Sequence, residues 1–294
     1  MKLIALLCAL LGLAEIAFTL RQPKPIATEE YGRRLISQTQ QYLGPDSKLP
    51  RMKSRLACAS CHIDAGVAPG NLSLATANNR YPRISPRGGG PESMQQRING
   101  CMTRSMNGTA LAEDSAEMLS MVAYIKVLAE DDAGTEASRK KAHEPALFKT
   151  PARAADLKHG EAVFANRCAA CHGKQGAGVP ASKDALKGYI FPPLWGDNSF
   201  NDGAGMHRLL TAAKFVKAKM PLGKADLDDD SAFDVAAYFN SKPRPRVEGL
   251  EKDYPDRAKK PIDTAYGPYA DAFPAEQHQF GPYPPIEAFY KSRK

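Results

Sequence analysis

The sequence predicts an all-α chain built from two small helical domains of similar plan, with a linker between them and an extended strap at the C-terminus. Three observations carry this. The pattern Cys-x-x-Cys-His occurs twice, as Cys58-Ala-Ser-Cys61-His62 and Cys168-Ala-Ala-Cys171-His172. A shift of 114 residues aligns Met121-Val122-Ala123-Tyr124-Ile125 with Val235-Ala236-Ala237-Tyr238-Phe239. From Lys242 onward the composition turns to Pro, Tyr and Phe without helical periodicity.

Each motif supplies what covalent attachment of a c-type haem requires. Two thiols add across the porphyrin vinyl groups, and the adjoining His reaches the iron. A bare Cys-x-x-Cys would also fit half a zinc site or a dithiol redox motif. The appended His and the second copy favour haem, and a zinc knuckle does not pair motifs this far apart. Two covalent haem c groups are expected, on Cys58, Cys61 and His62 and on Cys168, Cys171 and His172.

Residues 1–25 read as a signal peptide or N-terminal anchor, with Lys2, an apolar run from Leu3 to Ala14, and Arg21, Pro23 and Pro25 after it. Residues 26–130 form the first expected domain, with a helix from Glu29 to Tyr42 before the motif and a closing helix from Ser115 to Leu128. Met118, Met121, Val122, Ile125 and Leu128 make the apolar stripe of that helix, so both methionines read as packing. Residues 131–154 read as a linker rich in charge and Ala, with His143 in it and His159 just beyond, both expected to face solvent. The second domain, 155–242, has a helix from Ala155 to Ala170 that carries the motif, another from Gly205 to Lys219, and a closing one from Ser231 to Asn240. A first helix leading into the haem motif and a last helix packed across it resembles small class I cytochromes c. Residues 243–294 contain Tyr266-Gly267-Pro268-Tyr269 and Gly281-Pro282-Tyr283-Pro284-Pro285, whose aromatics argue for a strap lying on the domains.

The 294 residues, 43% hydrophobic, suffice for two small cores, and the formal net charge of +8 favours anionic substrates or acidic redox partners. No basic helix or nucleic-acid motif accompanies that charge, so nucleic acid is not an expected partner. A membrane enters only if the N-terminal segment stays uncleaved. Of six cysteines, Cys8 falls in the leader and four belong to the motifs, which leaves Cys101. Its bland reading is a small buried hydrophobe.

The second axial position decides whether a haem only carries electrons or also meets substrate. For the second haem Met220, in Met220-Pro221-Leu222-Gly223, is preferred over Met206, and Lys219 beside it is a further candidate. For the first haem the 114-residue shift places Met106 opposite Met220. Cys101 lies five residues earlier, and its thiolate would lower the potential of the iron. The residues alone leave both open.

The stretch Arg87 to Gly108, with Arg97-Ile98-Asn99-Gly100-Cys101 and Arg104-Ser105-Met106-Asn107-Gly108, resembles the first haem domain of the dihaem thiosulfate dehydrogenases. So do Phe191-Pro192-Pro193-Leu194-Trp195-Gly196, Ser199 to Met206, and the tail around Gly267-Pro268-Tyr269 and Gln277-His278. The cysteine segment is also similar to the haem subunit of the Sox thiosulfate-oxidising system, whereas the second domain and tail favour the dehydrogenase. The resemblance implies His62/Cys101 ligation of the first haem, and His172 with Met220 or Lys219 at the second. It implies oxidation of two thiosulfates to tetrathionate, or the reverse, with electrons passing to an external acceptor, expected to be another c-type cytochrome; the secretory leader and the haem attachment place the expected setting in the periplasm. Two dianions need fixed positive charge, for which Arg87 and Arg97 are the candidates and Arg104 a third; the competing role is ion pairing to haem propionates. Cys101 is the candidate for covalent sulfur chemistry. The alternatives are a Sox-type subunit acting on a carrier protein and a non-catalytic dihaem electron carrier.

Overall fold

The computed structural model describes residues 26–131 and 147–293. The expected leader (1–25) and most of the expected linker, with His143, lie outside the described residues.

In the first lobe, α1 (Glu29–Ser37) starts at Thr28, whose side chain accepts from Tyr31 N, with Glu29 and Glu30 in the first turn where the helix dipole favours acid. The expected single helix to Tyr42 is broken at Gln38, and α2 (Thr39–Leu43) follows. Thr39 marks the reason: its hydroxyl donates to Leu35 O (2.7 Å) and accepts from Cys58 N (2.8 Å), which bends the chain and ties it to the first motif. A short ribbon, β1 (Arg83–Ile84) with β2 (Pro91–Glu92), leads into α3 (Met94–Thr103). Ser93 and Gln96 cap α3 reciprocally at 2.8 and 3.1 Å. The closing helix α4 (Ala116–Asp131) buries Met118 and Met121 completely.

The second lobe repeats the plan. Asp156 caps α5 (Leu157–Arg167), and α6 (Ala169–His172) holds the second motif after a break at Cys168, where one helix was expected. The ribbon β3 (Val179–Pro180) with β4 (Tyr189–Phe191) precedes α7 (Leu209–Lys219), whose expected start at Gly205 is instead a 3-10 turn. Asp228 caps the closing helix α8 (Asp229–Asn240).

The repeat is visible in how the first and last helices of each lobe touch. A Cβ on Gly32 would lie 2.0 Å from Ser120 O and 2.8 Å from Tyr124 Cβ; one on Gly160 would lie 2.1 Å from Asp234 O and 2.9 Å from Tyr238 Cβ. Ser120 and Asp234, like Tyr124 and Tyr238, stand 114 residues apart. Their side chains also do the same work, since Ser120 Oγ accepts from Thr28 N (3.1 Å) and Asp234 Oδ1 from Asp156 N (2.9 Å). Asp234 further takes Arg153 and the His159 ring, so His159 is half-exposed but paired rather than simply solvent-facing. Because the Gly32 contact is with backbone, Gly32→Ala is expected to cost about 2 kcal/mol or more by forcing the helices apart. Thermal unfolding followed by far-UV circular dichroism would record it as a Tm lowered by at least about 5 °C.

The tail lies over both lobes. Asp253 and Asp263 are its buried anchors: Asp253 meets the first lobe, and Asp263 accepts from Arg208 (2.6 Å) and Leu210 N (2.9 Å) at the start of α7. Lys260 sits among Tyr254, Tyr266 and Tyr269 at 6.0, 4.6 and 5.0 Å, and burial lowers its pKa to about 8. His278 is enclosed between Ile262 O (2.8 Å) and Asp271 (3.0 Å), with the Tyr269 ring stacked at 3.7 Å. The expected fully extended strap is corrected at its end, where α9 (Ala275–Phe280) and α10 (Pro284–Lys291) are helical. Pro284 occupies the first position of α10, which needs no amide hydrogen, and the helix sinks Ile286 into the core of the second lobe beside Tyr283.

The lobes meet through the loop Ser199 to Gly205. Asn201 Nδ2 donates to Thr103 O (2.9 Å) and Asn107 Oδ1 (3.3 Å), and Gly203 O accepts from Arg87 (2.9 Å). Gln40 reaches Leu186 O and Lys187 O, and Lys219 Nζ reaches Pro69 O.

Candidate active site

The first motif begins as a 3-10 turn, Cys58–Ser60, and His62 follows with Nδ1 2.7 Å from Leu72 O. Leu72 holds that carbonyl in place from a left-handed φ of 62°, a strained conformation for a leucine. In the second motif His172 Nδ1 lies 2.8 Å from Pro192 O, and burial holds its pKa below the ordinary value, keeping the ring neutral. In both, a backbone carbonyl occupies Nδ1 and leaves Nε2 for a metal. The five described cysteines are all free thiols. Desolvation pushes Cys58 up to about 11, Cys61 to about 12 and Cys168 to about 11. Reduced thiol pairs followed by an oriented imidazole fit covalent haem at both sites.

Arg97 and Cys101 share α3 one turn apart, so they project on the same face. The Cys101 sulfur lies beside the His62 ring, which acts on its thiol. Burial pushes its thiol up, but the Arg97 charge, the His62 contact and the charges of His62 and Arg87 outweigh this and bring it down to about 7. Arg97, solvent-exposed, has Cys101 as its strongest electrostatic partner, with Tyr81 and Glu92 also acting on it. The Tyr81 ring is flanked in turn by the Arg83 guanidinium at 5.0 Å. Met106, the rival that the repeat suggests, is 3% exposed within the first core.

The three arginines divide. Arg87 acts on Cys101 but also donates to Gly203 O, stands 3.5 Å from Asp253 and lies over the Tyr254 ring at 5.5 Å. Arg104 is held by Asp253 at 2.7 Å and faces the junction of lobes and tail, where Gly203 packs on its Nη1. It is not among the main charges that act on the thiol. Tyr266 completes the grip on Asp253 at 2.7 Å. Sequence reasoning missed Tyr81 and Asp253.

At the second site Met220 ends α7 in extended backbone and packs against the core with Cys168 and Trp195. Met206 packs against the same core, with its carbonyl taken by Asn240 Nδ2 at 3.0 Å. Lys219 points to the first lobe, at Pro69 O.

Comparison with known proteins agrees with two haem lobes. Residues 48–133 match the family described as SoxA/TsdA, cytochrome c domain, and residues 155–239 match cytochrome C oxidase, cbb3-type, subunit III. The chain is 41% identical over 219 residues to a thiosulfate dehydrogenase of Allochromatium vinosum, covering 73% of this chain and 77% of that one. It is 35% identical over 242 residues to one from Stutzerimonas stutzeri, covering 80% and 75%. The solved thiosulfate dehydrogenase (TsdBA) from Marichromatium purpuratum, in its as-isolated form, superimposes with a TM-score of 0.67 at 33% identity. That match covers 75% of this chain and 46% of the other, so it spans under half of that longer protein.

Proposed function

Because this chain belongs to the thiosulfate dehydrogenase family, we propose that it oxidises two thiosulfates to tetrathionate in its first lobe and passes the electrons through its second lobe to an external acceptor. The observation that carries this reading is the grouping of Cys101 with His62 and Arg97. A pure electron carrier has no use for a thiol beside a cation there. Cys58, Cys61, His62 and Cys101 would hold the first haem; Cys168, Cys171 and His172 with Met220, or Lys219 in its place, would hold the second. The haems, when bound, supply one-electron redox chemistry.

The residues of the chain do the rest. Two unit charges 4 Å apart at an effective dielectric near 20 repel by about 4 kcal/mol, and two dianions by roughly four times that. Arg97 and Arg87 offset this with charges already in place. Cys101 forms a disulfide bond with the outer sulfur of one thiosulfate as two electrons leave. The second thiosulfate attacks that same sulfur, tetrathionate departs, and the Cys101 thiolate is restored. Two thiosulfate dianions give one tetrathionate dianion and two electrons, no proton moves, and the reverse sequence reduces tetrathionate.

The acceptor in this reading is another c-type cytochrome, to which the net charge of +8 is suited, and the setting is the periplasm. Among the described residues no helix is long and apolar enough to cross a membrane. The test is a steady-state assay of the holoprotein in both directions, with free thiosulfate and an artificial acceptor, then tetrathionate and a reduced donor. Turnover of free thiosulfate to tetrathionate is expected. Inactivity on free thiosulfate, with activity on a carrier protein bearing it, would replace this reading with a Sox-type one.

A further inference from the structure

Arg244 follows α8 in Lys242-Pro243-Arg244-Pro245. Its Nη2 donates to Phe239 O (2.8 Å) and Asn240 Oδ1 (3.2 Å), and its guanidinium lies 4.3 Å above the Phe200 ring. Its Nε and Nη1 are buried without a partner. Two orphaned donors on a buried cation cost several kcal/mol, of the order of about 1–3 for each neutral group and more when charged. Asp202 acts on Arg244 electrostatically, but its Oδ1 is taken by Val247 N at 2.9 Å, and burial still leaves the guanidinium lowered to about 10. The protein itself therefore offers those two nitrogens no anion.

The surroundings identify the missing one. Pro243 O accepts from Gly196 N (2.8 Å), which ties this segment to the loop whose Pro192 carbonyl holds His172. Phe200 and Phe239 belong to the core against which Cys168, Trp195 and Met220 pack. Arg244 is thus built into the haem-bearing core of the second lobe, and it is not among the charges that act on Cys101. We propose that Arg244 receives a carboxylate of the second haem, one of its two propionates, and so raises that haem's potential. A bare propionate favours the ferric iron, and a guanidinium paired to it removes that bias. The inference rests on the second haem alone, not on the substrate, so it stands or falls separately from thiosulfate turnover.

The test is an equilibrium redox titration of the holoprotein with chemical mediators, both haems being counted by pyridine haemochrome. In Arg244→Gln, at fixed solution potential, the ratio of reduced to oxidised second haem is expected to fall about tenfold, which is 59 mV for a one-electron couple. The first haem should not move. Arg244→Lys keeps the charge and should lose less. In both variants the propionate bending band in resonance Raman should shift. An unchanged second potential in Arg244→Gln with lowered thermal stability would overturn the proposal, leaving Arg244 as a cap on α8. If Arg244→Gln does not fold, an unshifted propionate band in Arg244→Lys does the same.

Discussion

Cys101→Gly is expected to lower turnover by about three orders of magnitude or more while leaving both haems covalently attached. Losses of this size are what removing a covalent participant brings, since the remaining groups bind substrate but cannot complete the bond exchange. Attachment is spared because it depends on Cys58 and Cys61, held by Thr39 and the 3-10 turn on another segment. The fold is spared because Cys101 lies in the last turn of α3, is only half-buried, and glycine there costs about 1 kcal/mol. Electron paramagnetic resonance of the oxidised variant should lose the signature of a thiolate-ligated ferric haem. Mass spectrometry of the wild type after thiosulfate exposure should find an adduct at Cys101 and nowhere else. A fully active Cys101→Gly protein would sink the proposed chemistry, whatever the spectra showed.

The parts of this molecule that could be read from its sequence are those where local pattern and global role coincide. The haem motifs are contiguous, so their chemistry is written in five residues each. The first closing helix carries an apolar stripe because it is packed on one side, which is also why Met118 and Met121 could be assigned to the core, whereas α8 is buried on every side from Ala232 to Asn240. α3 was harder to read: Met94, Ile98 and Met102 do pack on the first core at helical spacing, but the helix is only ten residues long and fills the positions between them with Gln95, Gln96, Arg97 and Asn99. The internal repeat sets Met106 opposite Met220, and the two lobes differ there: Met106 is buried in the first core, whereas Met220 is half-buried at the end of α7. Asp253 was invisible for another reason. It meets Arg87 across 166 residues and Arg104 across 149, and nothing in a tail rich in Pro and Tyr distinguishes one aspartate as the anchor. The last helix was hidden because Pro284 and Pro285, ordinarily signs of a break, stand at the one place in a helix that tolerates them.

That division among the arginines gives the second large effect. Arg97→Gln is expected to lower kcat/KM for thiosulfate by about a hundredfold, the usual cost of deleting one preorganised donor from a site where charge gathers. Arg97 qualifies because its strongest partner is the sulfur itself, with Tyr81 and the Glu92 carboxylate acting on it more weakly, and among the described residues it forms no ion pair of its own, since Glu92 is taken by Arg83 at 3.0 Å. Arg104 is the control from the same segment. Its guanidinium is bound to Asp253 at 2.7 Å beneath the tail, so Arg104→Gln should reduce thermal stability while changing kcat/KM far less. Arg87 lies between them, since it both acts on the thiol and clasps Gly203 and Asp253, and its replacement should do some of each. Arg97→Lys should recover only part of the loss, because an ammonium restores the charge without the planar fork that can meet a sulfonate and Tyr81 together. Steady-state kinetics on the three glutamine variants, with melting curves alongside, separate these roles. If Arg97→Gln and Arg104→Gln lowered kcat/KM equally, the anion site would have to be moved to the junction of lobes and tail, where Arg104 and Arg87 already share one carboxylate.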